Sequence, residues 1–409
     1  MAGKHGLLGR KLGHSLSPEI HYLMGDPNYT LYEVEPENVE AFIKKKEFDS
    51  INVTIPYKKT VMPYLSKTSE IARRIGGVNT IVKDEKGRLH GYNTDYYGFS
   101  YLLDFAGVDV KGKYCLLLGD GGAAAAVKTV LSDRGAAKIV CLTRSGKDRL
   151  ANAAAYTDAD VMINTTPVGM YPENGQSPIS LDGFNKLEAV IDLIYNPLKT
   201  KLIFDAEAKG IPAYNGLPML TAQGKRSREL FLGCDIDDNV VTMLNARLTG
   251  HMLNVTLIGM PGCGKSTVGK ALAERLGRKL IDTDEAIKAI YGKTPAEIIE
   301  KDGESEFRRM EHVAAEWAGK RTGKIIATGG GIVKRADNRA PLAQNGLIVF
   351  INRKLEDLPI DGRPLSQGAG VEALYAERLP LYRAWCDIEV DNDGDVEETV
   401  DKILKGLGH

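Results

Sequence analysis

The stretch Leu253-Asn-Val-Thr-Leu-Ile-Gly-Met-Pro-Gly-Cys-Gly-Lys-Ser-Thr267 constrains this chain more than any other. It opens with an apolar, β-branched run that reads as a buried strand. The run ends in Gly259, followed after four residues by Gly264-Lys265-Ser266, the full spacing of a phosphate loop. Residues 268–276 then continue with helical periodicity, so the loop delivers the chain into a helix N-terminus. Gly259, Gly262 and Gly264 let successive backbone N–H groups turn inward around an anion, with Cys263 and Thr267 completing the cradle. Lys265 reaches the β- and γ-phosphates, and the Ser266 hydroxyl is a hard oxygen ligand for magnesium. A chance Gly-rich turn leaves the register of strand, loop and helix unexplained. A nucleotide-binding domain is therefore expected from about Leu253, and the upstream residues must do something else.

At 409 residues the chain calls for two or three domains. Its formal net charge of −1 offers neither a basic nucleic-acid surface nor an acidic tail, so no nucleic-acid partner is expected. The first ten residues lack the apolar core of a signal peptide, and no apolar run reaches membrane-spanning length. The five cysteines form no Cys-x-x-Cys pair, which favours reduced thiols and a cytoplasmic setting. Oligomeric state leaves no signature here.

Residues 1–104 alternate short strands and helices and carry three polar clusters. These are Gly13-His-Ser-Leu-Ser-Pro18, Asn52-Val-Thr54 with Lys58, and Asn79 with Asn93-Thr-Asp95. Taken singly, each has a plain explanation. Ser15 and Ser17 suit the cap of a helix begun by Pro18, Lys58 suits a solvated helix start, and Asp95 suits the cap of the next helix. From Lys113 the pattern changes. Lys113-Tyr-Cys-Leu-Leu-Leu-Gly119 reads as a buried parallel strand running into Gly119-Asp-Gly-Gly-Ala123 and a helix, with a second strand at 138–142. This is a βαβ dinucleotide fingerprint in which Gly119 turns the chain and Gly121 admits the pyrophosphate. The second strand ends in Thr143-Arg-Ser145 with Lys147 close by, and no acidic residue awaits the ribose hydroxyls. Arg144 suits a 2′-phosphate, so NADP is favoured over NAD. Asp120 is expected to repel a pyrophosphate unless it turns away.

Eight motifs, in order across residues 5–232, resemble shikimate dehydrogenase. They are Ser15-Leu-Ser-Pro18, Asn52-Val-Thr-Ile-Pro-Tyr-Lys58, Gly77-Val-Asn-Thr80, Gly91-Tyr-Asn-Thr-Asp95, Gly119-Asp-Gly-Gly-Ala123, Asn164-Thr-Thr-Pro-Val-Gly-Met170, Asp192-Leu-Ile-Tyr-Asn-Pro197 and Gly216-Leu-Pro-Met-Leu-Thr-Ala-Gln223. The resemblance implies Lys58 and Asp95 as the catalytic pair. It implies Ser15, Ser17, Thr54, Asn79, Tyr195 and Gln223 as substrate contacts. It places NADP on Gly119, Gly121, Gly122, Ala123, Thr143, Arg144, Ser145, Leu193 and Gly216.

The remainder, from Leu253 to about Leu407, resembles shikimate kinase. Beyond the phosphate loop it carries Asp282-Thr-Asp284, Gly303-Glu-Ser-Glu-Phe-Arg-Arg309 with Glu311, Thr328-Gly-Gly-Gly331, Gly362-Arg-Pro364 and Glu377-Arg-Leu-Pro-Leu-Tyr-Arg383. The resemblance implies that Asp284, Phe307, Arg308, Gly330, Gly331 and Arg378 hold shikimate, and that Arg363 sits on a lid over ATP. Lys265, Asp284 and Arg363 then count as catalytic, with magnesium on Ser266 and, through water, on Asp282. Where the family carries a basic residue near the adenine, this chain reads Asp391-Asn-Asp-Gly394, and no adenine contact is assigned.

The expected chain is α/β throughout. A two-lobed dehydrogenase unit has its catalytic domain at 1–104, completed by helices from 217–250, and a Rossmann NADP domain at 105–216. A P-loop domain of the nucleoside-monophosphate-kinase type, with a lid, occupies 253–409. The expected activities share one metabolite: NADPH-dependent reduction of 3-dehydroshikimate, then ATP- and magnesium-dependent phosphorylation of shikimate. Three alternatives stand beside this, one of them an active kinase behind a scaffold-only first half, which the intact Lys58 and Asp95 pair disfavours. Quinate is a rival substrate for the first half, and a sensing regulator built from inactive copies is a rival for the whole. The regulator would be expected to lose Lys58, Asp95, Lys265 or Asp284, and all four are present.

Overall fold

The structure is a computed structural model that describes residues 3–13, 15–145, 148–358 and 370–408. Its contacts divide the chain into two units. One comprises Met1–Gly169, Gln176–Tyr195 and Leu202–Leu248; the other comprises Met170–Gly175, Asn196–Lys201 and Thr249–His409.

The first unit holds two sheets. Strands β1 (His5–Gly9), β2 (Thr30–Glu33), β3 (Ser50–Val53), β4 (Lys67–Thr68), β5 (Thr80–Lys83) and β6 (Leu89–Tyr92) form a mixed sheet in the order β2-β1-β3-β5-β6-β4. The expected hairpin is present: β5 and β6 pair antiparallel with Thr80 opposite Tyr92. The second sheet is wholly parallel, in the order β11-β10-β9-β7-β8, from β7 (Tyr114–Leu118), β8 (Lys138–Leu142), β9 (Val161–Asn164), β10 (Ala189–Asp192) and β11 (Ala213–Tyr214). Side chains alternate across a strand, and here both faces are covered. Leu117, Ile163 and Ile191 enter one core, while Leu116, Leu118, Met162 and Val190 enter the other. That is why these strands read as continuous apolar runs.

The second unit is built on a parallel sheet in the order β13-β14-β12-β15-β16. Its strands are β12 (Asn254–Ile258), β13 (Lys279–Asp282), β14 (Lys324–Ala327), β15 (Gly346–Asn352) and β16 (Ile388–Asp391). In both parallel sheets the first strand in sequence sits inside the sheet, with chain progression reversing around it. The crevice beyond the carboxyl end of such a strand is where open α/β sheets take ligands. The Gly119 loop leaves β7 there, and the Gly259 loop leaves β12 there.

Several sequence expectations are refined. The helix Ser17–Leu23 is preceded by Leu16 and has no side-chain cap; Ser15 Oγ instead accepts from Ser17 N at 3.2 Å. Asp95 does not cap the next helix. The cap position is Thr94, and Asp95 is the first residue of Asp95–Ala106. Periodicity places a helix at 235–248 with about five linking residues after it, but the helix is Asn239–Met252 and Leu253 alone precedes β12. Gly250 does not stop it. The Arg278 guanidinium donates to Gly250 O and Leu253 O, both at 2.7 Å, and so satisfies carbonyls that a helix end leaves open. No described helix is long and apolar enough to cross a membrane.

Candidate active sites

The first site forms where β5, β6 and the helix Asp95–Ala106 meet. Lys58 Nζ donates to Asp95 Oδ2 at 2.6 Å, and Asn79 Nδ2 donates to Asp95 Oδ1 at 2.9 Å. Asp95 is held further by its own N–H, which donates to Asn93 Oδ1 at 3.0 Å. Both oxygens of a nearly buried carboxylate are thus committed, and it cannot swing away. Gln223, on the helix Leu217–Leu232, lies beside Thr94, with Thr94 Oγ1 at 3.3 Å from Gln223 Oε1. The helix Leu217–Leu232 thus packs against the N-terminal lobe. Ser15, Ser17, Thr54 and Tyr195 make no hydrogen bond to the Lys58–Asp95 pair among the described residues. Tyr195 is half-buried, and burial pushes its phenol pKa up.

The dinucleotide loop adjoins this pair. A Cβ on Gly122, at the start of the helix Gly122–Asp133, would stand 4.0 Å from Lys58 Cδ. Gly119, with φ +94°, opens a cleft of about 490 Å³ that Gly121, Thr143, Arg144 and Ser145 also line. Arg144 and Ser145 are exposed there, with no acidic residue at the end of β8, and this fits a phosphorylated ribose. Gly216 N donates to Ile194 O at 3.0 Å, which sets Gly216 beside Leu193. Asp120 is exposed and does line the cleft. Lys147 lies outside the described residues.

In the second unit, Gly259, Gly262 and Gly264 all have positive φ, which turns the loop's N–H groups inward. Lys265 is buried, and its Nζ donates to Gly259 O and Met260 O at 2.9 Å each. Ser266 and Thr267 are exposed in the first turn of the helix Lys265–Leu276. Ser266 Oγ donates to Asp282 Oδ2 at 3.0 Å, so two hard oxygens stand together where magnesium is expected. Cys263 is buried within the loop.

The residues expected to hold shikimate lie around Gly329-Gly-Gly331. A Cβ on Gly331 would lie 2.3 Å from both terminal nitrogens of Arg308, and one on Gly329 would lie 3.0 Å from Asp284 Oδ1 and Glu311 Oε1. Only glycine leaves this room. Arg308 Nη1 donates to Glu311 Oε2 at 2.8 Å, and Arg378 Nη1 donates to Gly330 O at 3.2 Å. Phe307, Arg308 and Arg378 are all buried. Three buried polar atoms lack a partner among the described residues: Asp284 Oδ1, Glu311 Oε1 and Arg378 Nε. Buried polar groups are normally satisfied, so this cluster is made for a polar ligand. Burial, aided by the charge of Asp282, pushes the Asp284 pKa up to about 6, and burial likewise raises Glu311. Arg363 lies outside the described residues.

Two further residues support the second site. Glu311 orients Arg308. Asn392, just after β16, donates from Nδ2 to Cys263 O at 2.7 Å and braces the phosphate loop. Glu311 reaches Arg308 from one turn further along the same helix, whereas Asn392 has no local sequence signal because it acts across a tertiary contact.

Comparison with known proteins agrees with both halves. A family model for the shikimate dehydrogenase substrate-binding domain matches residues 7–81, and one for shikimate kinase matches residues 261–407. The NADP(+) shikimate dehydrogenase of Clostridium beijerinckii is 38% identical over 255 residues, covering 58% of this chain and 94% of that protein. That of Geobacillus kaustophilus is also 38% identical over 255 residues, covering 56% and 92%. The crystal structure of a Thermus thermophilus shikimate 5-dehydrogenase with NADP(H) and shikimate matches with a TM-score of 0.54 at 32% identity, covering 59% of this chain and 98% of that one. A Clostridium acetobutylicum chorismate mutase/shikimate 5-dehydrogenase fusion matches with a TM-score of 0.58 at 38% identity, covering 61% and 97%. The chain belongs to the shikimate dehydrogenase family, and a shikimate kinase domain follows that portion.

Proposed function

We propose that the chain is a bifunctional shikimate-pathway enzyme that reduces 3-dehydroshikimate to shikimate and then phosphorylates shikimate to shikimate 3-phosphate. The observation that carries the reading is the Lys58–Asp95 pair standing beside Gly122 of the dinucleotide loop. NADPH supplies the hydride of the first step, and ATP with magnesium supplies the phosphoryl group of the second.

In the first step the Lys58 ammonium, oriented by Asp95, gives a proton to the ketone oxygen as charge develops on it. Such a positioned donor is worth typically ~10²–10⁴-fold in rate. Asn79 and Gln223 hold ring hydroxyls, with Ser15, Ser17, Thr54 and Tyr195 completing the contacts. Arg144 faces the 2′-phosphate of NADP. In the second step the Arg308 and Arg378 guanidiniums take the substrate carboxylate, since a fork of donors suits two oxygens. Asp284 accepts from the ring hydroxyl that is to be phosphorylated, aligning it and drawing off its proton. Lys265 would exchange its loop carbonyls for phosphate oxygens, and Ser266 would hold magnesium with Asp282 behind it through water. A cytoplasmic location fits five cysteines that are all unpaired.

The test is a coupled reaction with 3-dehydroshikimate, NADPH, ATP and magnesium. The expected products are NADP⁺ and shikimate 3-phosphate in equal amounts. NADPH oxidation on quinate's ketone, 3-dehydroquinate, outpacing that on 3-dehydroshikimate would hand the first half to quinate. No turnover of either would return the regulator reading.

A further inference from the structure

Behind the Lys58–Asp95 pair lies a connected set of buried polar side chains. At its centre is Ser227, on the helix Leu217–Leu232, with no exposed surface. Its Oγ lies 2.7 Å from Asn52 Nδ2, 3.0 Å from Thr80 Oγ1 and 3.2 Å from Thr94 Oγ1. A hydroxyl has one proton to give and two lone pairs, so three partners use it fully.

Backbone groups fix the direction of this network. Asn79 Oδ1 accepts from the backbone N–H of Thr94 at 2.8 Å, a donor that cannot reverse. The other end of that amide, Nδ2, must then face Asp95 as a donor. Asn52 Nδ2 stands 3.3 Å from the backbone carbonyl of Asn79, which can only accept. Its carbonyl end takes the hydroxyl proton of Tyr29 at 2.7 Å. Asn52 therefore donates to Ser227, and Ser227 must spend its single proton on Thr94 or Thr80. Thr80 in turn points its own proton at Asn79 Oδ1, 3.0 Å away, and Thr94 can point its proton at Gln223 Oε1. Polarity thus runs from Tyr29 through Asn52 and Ser227 to the two amides that face the substrate.

We infer that Ser227 is a positioning residue of the dehydrogenase site: its hydroxyl sets the threonine protons that hold Asn79 against Asp95 and Gln223 toward the substrate. The inference rests on the reading of Lys58 and Asp95 as the catalytic pair. Without the Ser227 hydroxyl, an Asn52 N–H loses its nearest acceptor and falls back on Thr80 Oγ1 at 3.2 Å, and both threonine hydroxyls lose the partner they share. Asn79 then holds Asp95 less firmly, and through it Lys58.

The experiment compares steady-state reduction of 3-dehydroshikimate by wild type, Ser227→Ala, Ser227→Thr and Tyr29→Phe in the full chain. Ser227→Ala is expected to lower kcat about tenfold, the size of one orphaned buried hydrogen bond, with the KM for NADPH unchanged. Ser227→Thr, which keeps the hydroxyl, should recover most of it. Tyr29→Phe, which only frees the Asn52 amide, should lower the same parameter by a smaller factor of about three. In an Asp95→Asn background the Ser227→Ala loss should shrink, since the Asn79 arm acts through that carboxylate. A Ser227→Ala enzyme with wild-type kcat overturns the inference, and so does a loss that persists undiminished in the Asp95→Asn background. If Ser227→Ala fails to bind NADPH, Tyr29→Phe decides, and wild-type turnover in that variant overturns the inference. Absence of wild-type turnover would instead sink the assigned activity itself.

Discussion

Ser266 donates a hydrogen bond to Asp282, with 3.0 Å between Oγ and Oδ2. The other oxygen of the same carboxylate accepts from Asp284 N at 3.0 Å, so Asp282 links the phosphate loop to the start of the helix Thr283–Tyr291. Removing its charge should weaken magnesium binding without unmaking the loop. Asp282→Asn is expected to raise the magnesium concentration for half-maximal kinase rate by about tenfold, a typical cost for an outer-shell metal partner. NADPH oxidation should not change. A titration with unaltered magnesium dependence would remove Asp282 from the metal site.

Asp284 gives a prediction with opposite signs for activity and stability. Its carboxyl titrates near 6 in the folded chain, against about 3.9 when unfolded. Between those values the folded state binds more protons, so ionisation at neutral pH costs stability. Asp284→Asn should therefore stabilise the ligand-free second unit at pH 7.5, by at most about 3 kcal/mol. The gain should fade as pH drops through 6 and be gone below about 4. The same change should abolish phosphoryl transfer, and the wild-type kinase kcat/KM should fall as pH drops through about 6. Thermal unfolding of the kinase transition across pH, with activity measured alongside, checks both.

Lys58→Ala should lower dehydrogenase kcat by two or more orders of magnitude, roughly 10²–10⁴-fold, with a smaller change in KM. A rise in KM alone would make Lys58 a binding residue and place the proton donor elsewhere.

Arg144→Ala should raise the KM for NADPH by about tenfold or more, as expected for a lost charge-assisted contact. It should scarcely alter the rate with NADH, which has no 2′-phosphate. A wild-type preference for NADH would dispose of the assignment.

How far the sites could be read in advance depended on how local their signals are. The phosphate loop was legible because its strand, glycines, lysine and helix are consecutive and each has one physical task. The Gly119 loop and Arg144 were legible for the same reason. Lys58 and Asp95 have plain explanations when taken one at a time, and only the order of motifs around them singled them out. Asn52 and Ser227 are 175 residues apart, and Asn392 and Cys263 are 129 apart. No periodicity or spacing joins such pairs, since they meet only when elements from distant parts of the chain pack. The helix that runs on to Met252 was missed for the same reason, because the guanidinium closing its end comes from Arg278.

The first sheet is drawn from residues 5–92, yet its polar floor closes only when the helix Leu217–Leu232 returns to it. Synthesis begins at the N-terminus, so the strands that carry Asn52 and Thr80 leave the ribosome long before Ser227 exists. Until then those side chains have Tyr29, Asn79 and each other, but not the hydroxyl that joins them to the helix. The parallel sheet between, from Tyr114 to Tyr214, draws every strand from its own stretch of chain. The middle of the polypeptide is therefore expected to become resistant to protease before the beginning does, in chains stalled after residue 216. The lobe born first is the one that matures last.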